Sequence, residues 1–330
     1  MNIIGVDVGG TKIHSVRADE KGKILAREHC ATEAGHGLDY VVGLIAEAIE
    51  KLAAGHKVQG VGLGVPGPLD PVKGIVYDPP NLPGWDDVPL VSLLRKKLHT
   101  LRDVPFVLVN DANAGALAEY HFGAGTQYNG EEPLTHLVYL TVSTGVGGGV
   151  ISDGKLLLGS TGMAAELGHI VIDLGGPRCG CGNLGCLEAL ASGTALAREG
   201  YLIVKSRRPT KMFKMVKGVA EDVTAEVVFQ AAREGDHEAL ALVEREGMLV
   251  GVGVVSCIHA FNPQLVVLGG GVSNAKELLF DPVRATVDER IMPAYRGTFQ
   301  IVPAALGGDT GALGAVAAAL VEVRSKGEAG

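Results

Sequence analysis

The sequence predicts an α/β protein of two domains, each built on a mixed sheet, with the second sheet repeating the first. Three observations predict it. The chain has 330 residues, enough for two separate cores. Its composition, 47% hydrophobic and 20% charged, is that of a folded globular protein. Finally, residues 3–25, IIGVDVGGTKIHSVRADEKGKIL, share a pattern with residues 137–159, LVYLTVSTGVGGGVISDGKLLLG. Each stretch is an apolar strand, a glycine-rich turn, a second strand, a polar turn ending in Gly-Lys, and a third strand. Two such sheets can face each other across a cleft and hold a polyphosphate from both sides.

Taken in order, Ile3 to Val8, Lys12 to Ala18 and Ile24 to Thr32 read as strands joined by Gly9-Gly10 and Asp19–Gly22 turns. Gly37 to Ala54 has helical periodicity, with Val41, Val42, Leu44, Ile45, Ala48, Ile49 and Leu52 on one face. Val58 to Val65 is a buried strand ending in Pro66-Gly67-Pro68. Leu90 to Leu101 reads as a helix, Phe106 to Val109 as a strand, and Ala112 to Tyr120 as a helix. After the repeat, Thr224 to Arg233 and Asp236 to His259 read as capped helices. Gln264 to Leu268 reads as a buried strand, followed by a helix near Ala275 to Phe280, a strand at Thr298 to Val302, and an alanine-rich helix from Gly311 to Arg324 that packs back on the first domain. The expected division is 1–120 plus about 305–330 for a small domain and about 121–304 for a large one, with a hinge near Tyr120 to Leu134.

The net charge of -8 argues against nucleic acid or an anionic membrane as a partner, since both select a basic face. Lys205 to Lys217 carries six basic residues and reads as a solvated face. Residues 1–10 run straight into a strand pattern with no basic leader, and the longest apolar stretch, Ala312 to Val321, is too short to span a bilayer. Five cysteines, an odd number, fit a reducing cytoplasm. Cys30 and Cys257 read as small buried residues.

The densest chemistry lies in ELGHIVIDLGGPRCGCGNLGCLE, residues 166–188. His169, Cys179, Cys181 and Cys186 fall within eighteen positions, a donor set suited to a closed tetrahedral zinc site. The plain alternative is a glycine-rich loop with buried thiols. Asp7-Val8-Gly9-Gly10-Thr11-Lys12 offers backbone amides to a phosphate, and Asp7 can reach a phosphate-bound magnesium through water. Ser143-Thr144-Gly145 and the glycines after it offer hydroxyls and amides together, without the lysine of a Walker loop. Gly269-Gly270-Gly271, between a strand and a helix, suits a nucleoside, though a loop starting a helix needs no ligand. Asn110-Asp111 ends a strand before a helix: either a plain cap or a general base in a cleft. Asn81, beside Pro79-Pro80 and Trp85, belongs to a loop suited to a polar, ring-shaped ligand, and Asn110, Asp111, Glu166, His169 and Glu188 supply side chains that read sugar hydroxyls. His169 can bind zinc through one ring nitrogen and address ligand with the other.

These stretches resemble the ROK family of bacterial sugar kinases over residues 5 to about 315. The resemblance rests on GVDVGGTK at 5–12, GVPGPLD at 64–70, NLPGW at 81–85, NDANAGALAEY at 110–120, STGVGGGVI at 143–151, ELGH at 166–169, CGCGNLGCLE at 179–188 and LGGGVS at 268–273. It implies a fold of the actin, hexokinase and Hsp70 type, ribonuclease H-like, and magnesium-ATP-dependent phosphorylation of a hexose at its 6-hydroxyl. It implies that Asp111 is the catalytic base, that Asn110, Glu166, His169 and Glu188 bind sugar, and that Gly10, Thr11, Lys12, Thr144 and Gly145 contact nucleotide phosphates. It also implies that His169, Cys179, Cys181 and Cys186 hold a structural zinc, and that the chain is a homodimer or homotetramer. The one departure is Ala165, where the family pattern leads us to expect glycine before the glutamate. The family's repressors carry an added N-terminal helix-turn-helix; here the kinase-like strand starts at residue 3, so a kinase is expected. Glucose is the expected sugar. An N-acetylhexosamine kinase, a non-catalytic sugar sensor and an actin-like filament protein are the alternatives.

Overall fold

The computed structural model describes residues 1–328. The chain divides into two units: Met1–Asn129, Gly149–Ala165 and the chain from Ala305 onward form the first, and Gly130–Gly148 with Glu166–Ala304 form the second. In chain order the first part comprises β1 (Ile3–Val8), β2 (Lys12–Ala18), β3 (Ile24–Ala31), α1 (Leu38–Ala53), β4 (Gly60–Val65), β5 (Leu69–Asp70), β6 (Ile75–Val76), α2 (Leu90–Lys97), β7 (Phe106–Asn110) and α3 (Asp111–His121). There follow β8 (Leu137–Val142), β9 (Val146–Ser152), β10 (Lys155–Leu156), α4 (Leu187–Ala191), α5 (Gly193–Lys205), α6 (Lys211–Met215), α7 (Ala225–Arg233) and α8 (His237–Phe261). The chain closes with β11 (Leu265–Gly269), α9 (Glu277–Arg290), β12 (Gln300–Pro303) and α10 (Thr310–Glu328).

The duplication is visible in the sheets. One has the order β3-β2-β1-β4-β7, with β2 antiparallel to its neighbours and β4 parallel to β1 and β7. The other has the order β10-β9-β8-β11-β12, with β11 parallel to β8 and β12. The copies differ at the edge: β3 has eight residues, β10 only two.

Strand alternation sorts the first unit into two layers around its sheet. Ile4, Val6 and Val8 of β1 join Val61, Leu63 and Val65 of β4 in a core with Val41, Ile45 and Ile49 of α1. Leu44, expected on the same face, is only partly buried against it. On the opposite face, Ile3 packs with Ala312, Leu313 and Val316 of α10. At Gly5 of β1 and Gly62 of β4 that helix sits too close for a side chain beneath it. A Cβ on Gly5 would overlap the Ala312 carbonyl oxygen, one on Gly62 the Ala315 carbonyl, and one on Gly314 the Ala114 carbonyl of α3. The Gly-Val-Gly-Leu-Gly-Val sequence of β4 therefore has a physical reason: large residues feed one core, and glycines admit a helix on the other face.

Four elements depart from the sequence expectation. The helix expected over Leu90 to Leu101 stops at Lys97, because Leu98 (φ −95°, ψ 69°) leaves helical space, and a 3₁₀ turn at His99–Leu101 completes it. The helix expected near Ala275 to Phe280 is a 3₁₀ turn at Gly271–Ala275 followed by α9, which runs on to Arg290 through Pro282. Gly247 of α8 leaves room for the Pro282 ring, where a Cβ would collide. Helices α4 and α5 were not expected; Ser192 caps α5 by accepting from the Ala195 N–H at 3.1 Å. The six basic side chains between Lys205 and Lys217 are all exposed, on a segment anchored by buried Met212 and by Asp236, which accepts from the Lys211 N–H at 2.7 Å. Among the described residues, no helix is long and apolar enough to cross a membrane.

Glu246 of α8 is an exception to the apolar rule. It is 3% exposed and its Oε1 has no hydrogen-bond partner. Burial pushes its carboxyl up to about 8, against a small opposing pull from Arg245. A group raised on folding holds its proton in the native state, so its contribution to stability is full below the unfolded value near 4.3 and is lost as pH rises through about 8. Glu246→Gln, neutral throughout, is expected to melt above wild type by a margin that widens from pH 5 to pH 8.5. Thermal denaturation of both proteins across that range checks it; a margin independent of pH would contradict it.

Candidate functional site

In the first unit the candidate residues gather at the carboxyl ends of the parallel strands β1, β4 and β7, the edge at which open α/β sheets receive ligands. The Gly9–Thr11 turn follows β1. It is closed by the Gly9 N–H donating to the Lys12 carbonyl at 2.9 Å and pinned by Thr32, whose hydroxyl donates to the Gly9 carbonyl at 2.6 Å. A Cβ on Gly10 would lie 2.7 Å from the Asn81 carbonyl oxygen, so the backbones of Gly10 and Asn81 meet. Asn81 itself is exposed. Trp85 is not beside it at the surface: at 1% exposure it belongs to the core, holding the loop from below through an Asp78 N–H to Trp85 carbonyl bond of 2.8 Å.

After β4, Gly67 passes 3.2 Å from the Asn110 amide nitrogen, measured from the place its Cβ would occupy. After β7, Asn110 caps α3: its Oδ1 accepts from the N–H groups of Ala112 at 3.0 Å and Asn113 at 3.2 Å. The cap reading is thus correct for Asn110. Asp111 is the first residue of the helix, exposed, with Oδ1 accepting from the Ala112 N–H at 2.8 Å. Cap and carboxylate are thus separate residues. Asp7 lies against the start of α10, where a Cβ on Gly311 would be 2.5 Å from its carboxyl carbon. Burial holds its carboxyl above the ordinary range, with His14 and Lys12 pulling the other way.

In the second unit, two groupings meet at Glu188. The first surrounds the Ser143–Gly145 turn between β8 and β9. The Gly193 N–H donates to the Ser143 carbonyl at 2.7 Å, and the Thr194 hydroxyl to the Thr144 carbonyl at 2.7 Å, so the N-terminus of α5 is tied to this turn. Turn, helix end and Gly271 border a cavity of about 700 Å³, whose far wall includes Phe229 and Arg233 of α7. Of the three glycines after β11, Gly271 lines the cavity and Gly270 makes the turn at φ 85°. Gly269 is buried beneath the Tyr139 ring. Thr194, Phe229 and Arg233 were missed in the sequence; the Ser-Gly-Thr run before an apolar stretch was the available signal for the first of them.

The second grouping is the cysteine loop. Gly185 accepts from the Ile172 N–H at 2.9 Å, Asn183 from the Cys179 N–H at 2.8 Å and Cys179 from the Gly182 N–H at 2.9 Å, folding residues 170–187 into a knuckle. One ligand atom each from His169, Cys179, Cys181 and Cys186 lies within 4.8 Å of all the others. Cys181 and Cys186 Sγ are 3.7 Å apart, and Cys179 Sγ is 3.6 Å from His169 Nδ1. A tetrahedral zinc with sulfur arms of about 2.3 Å and a nitrogen arm of about 2.0 Å spaces sulfurs by about 3.8 Å and sulfur from nitrogen by about 3.5 Å. The donor set fits that ion and is far too open for a disulfide at about 2.05 Å. Burial pushes the Cys186 thiol up to about 12 and Cys179 above its usual value, whereas the Asn183 N–H draws Cys181 down. A cation is what would bring all three to thiolate.

Glu188 joins the groupings. Its Oε2 accepts from the Val146 N–H at 3.0 Å and its Oε1 from the Cys179 thiol at 3.7 Å. Glu166 is exposed and precedes the 3₁₀ turn Leu167–His169. Gly168 in that turn packs onto the Val146 carbonyl with no space for a Cβ. Ala165, the departure from the family pattern, has φ 68°. The left-handed backbone that favours glycine is retained, at a cost of about 1 kcal/mol.

The family model for ROK matches residues 3–322, and the chain belongs to the ROK family. Its architecture is the α/β fold of the actin and hexokinase type, shared with ROK sugar kinases. A glucokinase of Thermotoga maritima is 42% identical over 318 residues, covering 96% of each chain. The crystal structure of a ROK hexokinase from Thermus thermophilus aligns with a TM-score of 0.79 at 37% identity, over 98% of this chain and 100% of that one. A ROK family glucokinase from Streptomyces griseus, solved in complex with glucose and AMPPNP, aligns with a TM-score of 0.79 at 34% identity, over 97% and 99% of the two chains.

Ala165→Gly exchanges left-handed strain of about 1 kcal/mol for a similar gain in freedom of the unfolded chain, so it is expected to leave the melting temperature within about 2 °C. Ala165→Val puts a β-branched residue in that backbone and is expected to lower it clearly. Calorimetry of the two variants checks both.

Proposed function

We infer that this chain is a glucokinase-type hexokinase, transferring the γ-phosphoryl group of ATP to the 6-hydroxyl of glucose. The observation that carries the reading is Asp111, an exposed carboxylate on the first turn of α3 at the end of β7, in a chain matched over 96% of its length by a glucokinase. Asp111 accepts the proton of the sugar 6-hydroxyl as that oxygen attacks phosphorus and ADP leaves. Asn81, Asn110, Glu166, His169 and Glu188 fix the ring, so that the 6-hydroxyl, and not water, is presented to the donor. The turn amides at Gly9, Gly10, Thr11, Lys12, Thr144 and Gly145 hold the phosphates, and the cavity bordered by Thr194, Phe229, Arg233 and Gly271 takes the nucleoside. Asp7 is suited to a magnesium bound to those phosphates through water. Positioning and charge neutralisation account for most of the acceleration in such a transfer.

His169, Cys179, Cys181 and Cys186 would hold a structural zinc, and the distances among their ligand atoms support it. The ion's contribution is to fold the loop; the loop in turn presents His169 and Glu188. Cys181→Ser is expected to lose zinc and most glucose binding. Metal analysis with calorimetric glucose titration checks this, and full turnover in a zinc-free variant would sink it.

The activity test is an ADP-release assay with magnesium-ATP, comparing glucose, mannose, N-acetylglucosamine and N-acetylmannosamine, with Asp111→Asn as control. Glucose is expected to give the highest kcat/KM, and Asp111→Asn to lose turnover by at least about 100-fold while still binding sugar. Preference for an acetylated sugar would move the substrate and keep the mechanism. Equal turnover by Asp111→Asn would remove the base assignment.

A further inference from the structure

We propose that Glu119 is a positioning residue of the transfer reaction, setting the placement of Asp111 from the opposite end of α3. The proposal rests on the reading of Asp111 as the base. Glu119 is fully buried, eight residues after Asp111 on the same helix, or about 12 Å along its axis. Its carboxylate is met by main-chain donors from two other segments. The Ala124 N–H reaches Oε2 at 2.8 Å. The Ala305 N–H lies 3.1 Å from Oε1 and 3.0 Å from Oε2, and the Leu306 N–H 3.1 Å from Oε1.

Three converging amides call for several acceptor lone pairs in one place, and the two carboxylate oxygens of Glu119 supply them. Gly123 completes the fit, since a Cβ there would overlap Glu119 Oε2. The segment captured is the one by which the chain returns from β12 to the first unit. Three residues later, Asp309 ties the same segment to the sheet, accepting from His14 Nε2 at 2.9 Å and from Arg27 at 2.9 Å. The Asp309 clamp holds the segment to β2 and β3; the Glu119 clamp holds it to α3. Of these two clamps, only the second bonds to α3 itself. A short helix moves as a rod, so slack at residue 119 becomes displacement at residue 111, and about 1 Å of misplacement can cost about 100-fold in rate.

The test compares steady-state kinetics of wild type, Glu119→Gln, Asp309→Asn and Asp111→Asn with magnesium-ATP and glucose, each well below its own melting temperature. In Glu119→Gln an amide donor faces the backbone N–H groups. Its kcat is expected to fall about 10-fold or more, with KM for glucose and ATP within about threefold. Asp309→Asn is expected to melt lower with kcat within about twofold. A wild-type kcat in Glu119→Gln, or an equal loss in Asp309→Asn, would overturn the proposal. A wild-type kcat in Asp111→Asn would instead remove the base, so the two failures are distinct. Should Glu119→Gln not fold, Glu119→Asp, which keeps the charge and shortens the reach, is held to the same kcat criterion.

Discussion

The contact on which the first unit depends is the seating of α10 on a sheet surface stripped of side chains. Gly5 and Gly62 leave the faces of β1 and β4 bare beneath Ala312 and Ala315, and Gly314 lets the same helix touch the backbone of α3. Packing at this distance is unforgiving, because no rotamer change relieves a clash between a Cβ and a carbonyl. It also has chemical consequences. The helix start is brought against Asp7, whose buried carboxyl sits where the β1 turn begins. The helix flank is brought against α3, whose first residue is Asp111.

The second unit solves a different problem. Its candidate residues lie on loops and at helix starts, and polar links hold them. Glu188 bonds the backbone of the β8–β9 turn with one oxygen, and its other oxygen lies 3.7 Å from the Cys179 sulfur. The β8–β9 turn and the cysteine loop therefore share a side chain. A change in either is felt by the other through a single carboxylate, which is a narrower coupling than a packed core would provide.

Much of this was legible in the sequence, for identifiable reasons. The strands of the first sheet announced themselves through β-branched runs broken by glycine turns, and the repeat announced the second sheet. The cysteine cluster was legible because its ligands are local: His169 to Cys186 close the site without help from distant chain. The rest was hidden where tertiary partners decide. The helix expected near Ala275 to Phe280 instead runs on through Pro282, where Gly247 on another helix makes room. Trp85 reads as a ligand-facing aromatic but is core. Phe229 and Arg233 border the cavity beside α5 from a helix more than thirty residues away in sequence, a proximity no local pattern encodes. Ala165 ran the other way: the family pattern asked for glycine, and the backbone there is glycine-like even though the residue is not.

The first unit is completed by the last stretch of chain, and this bears on biosynthesis. Its sheet emerges from the ribosome early, within the first 110 residues, but the helix that covers one face, α10, begins at Thr310. Until then Ile3 and Val16 and the bare glycine tracks of β1 and β4 have no lid. The second unit's residues, by contrast, are all synthesised by Ala304. The nascent chain thus carries an uncovered sheet for as long as it takes to make the residues between β7 and α10, an interval in which exposed apolar surface invites aggregation and chaperone capture.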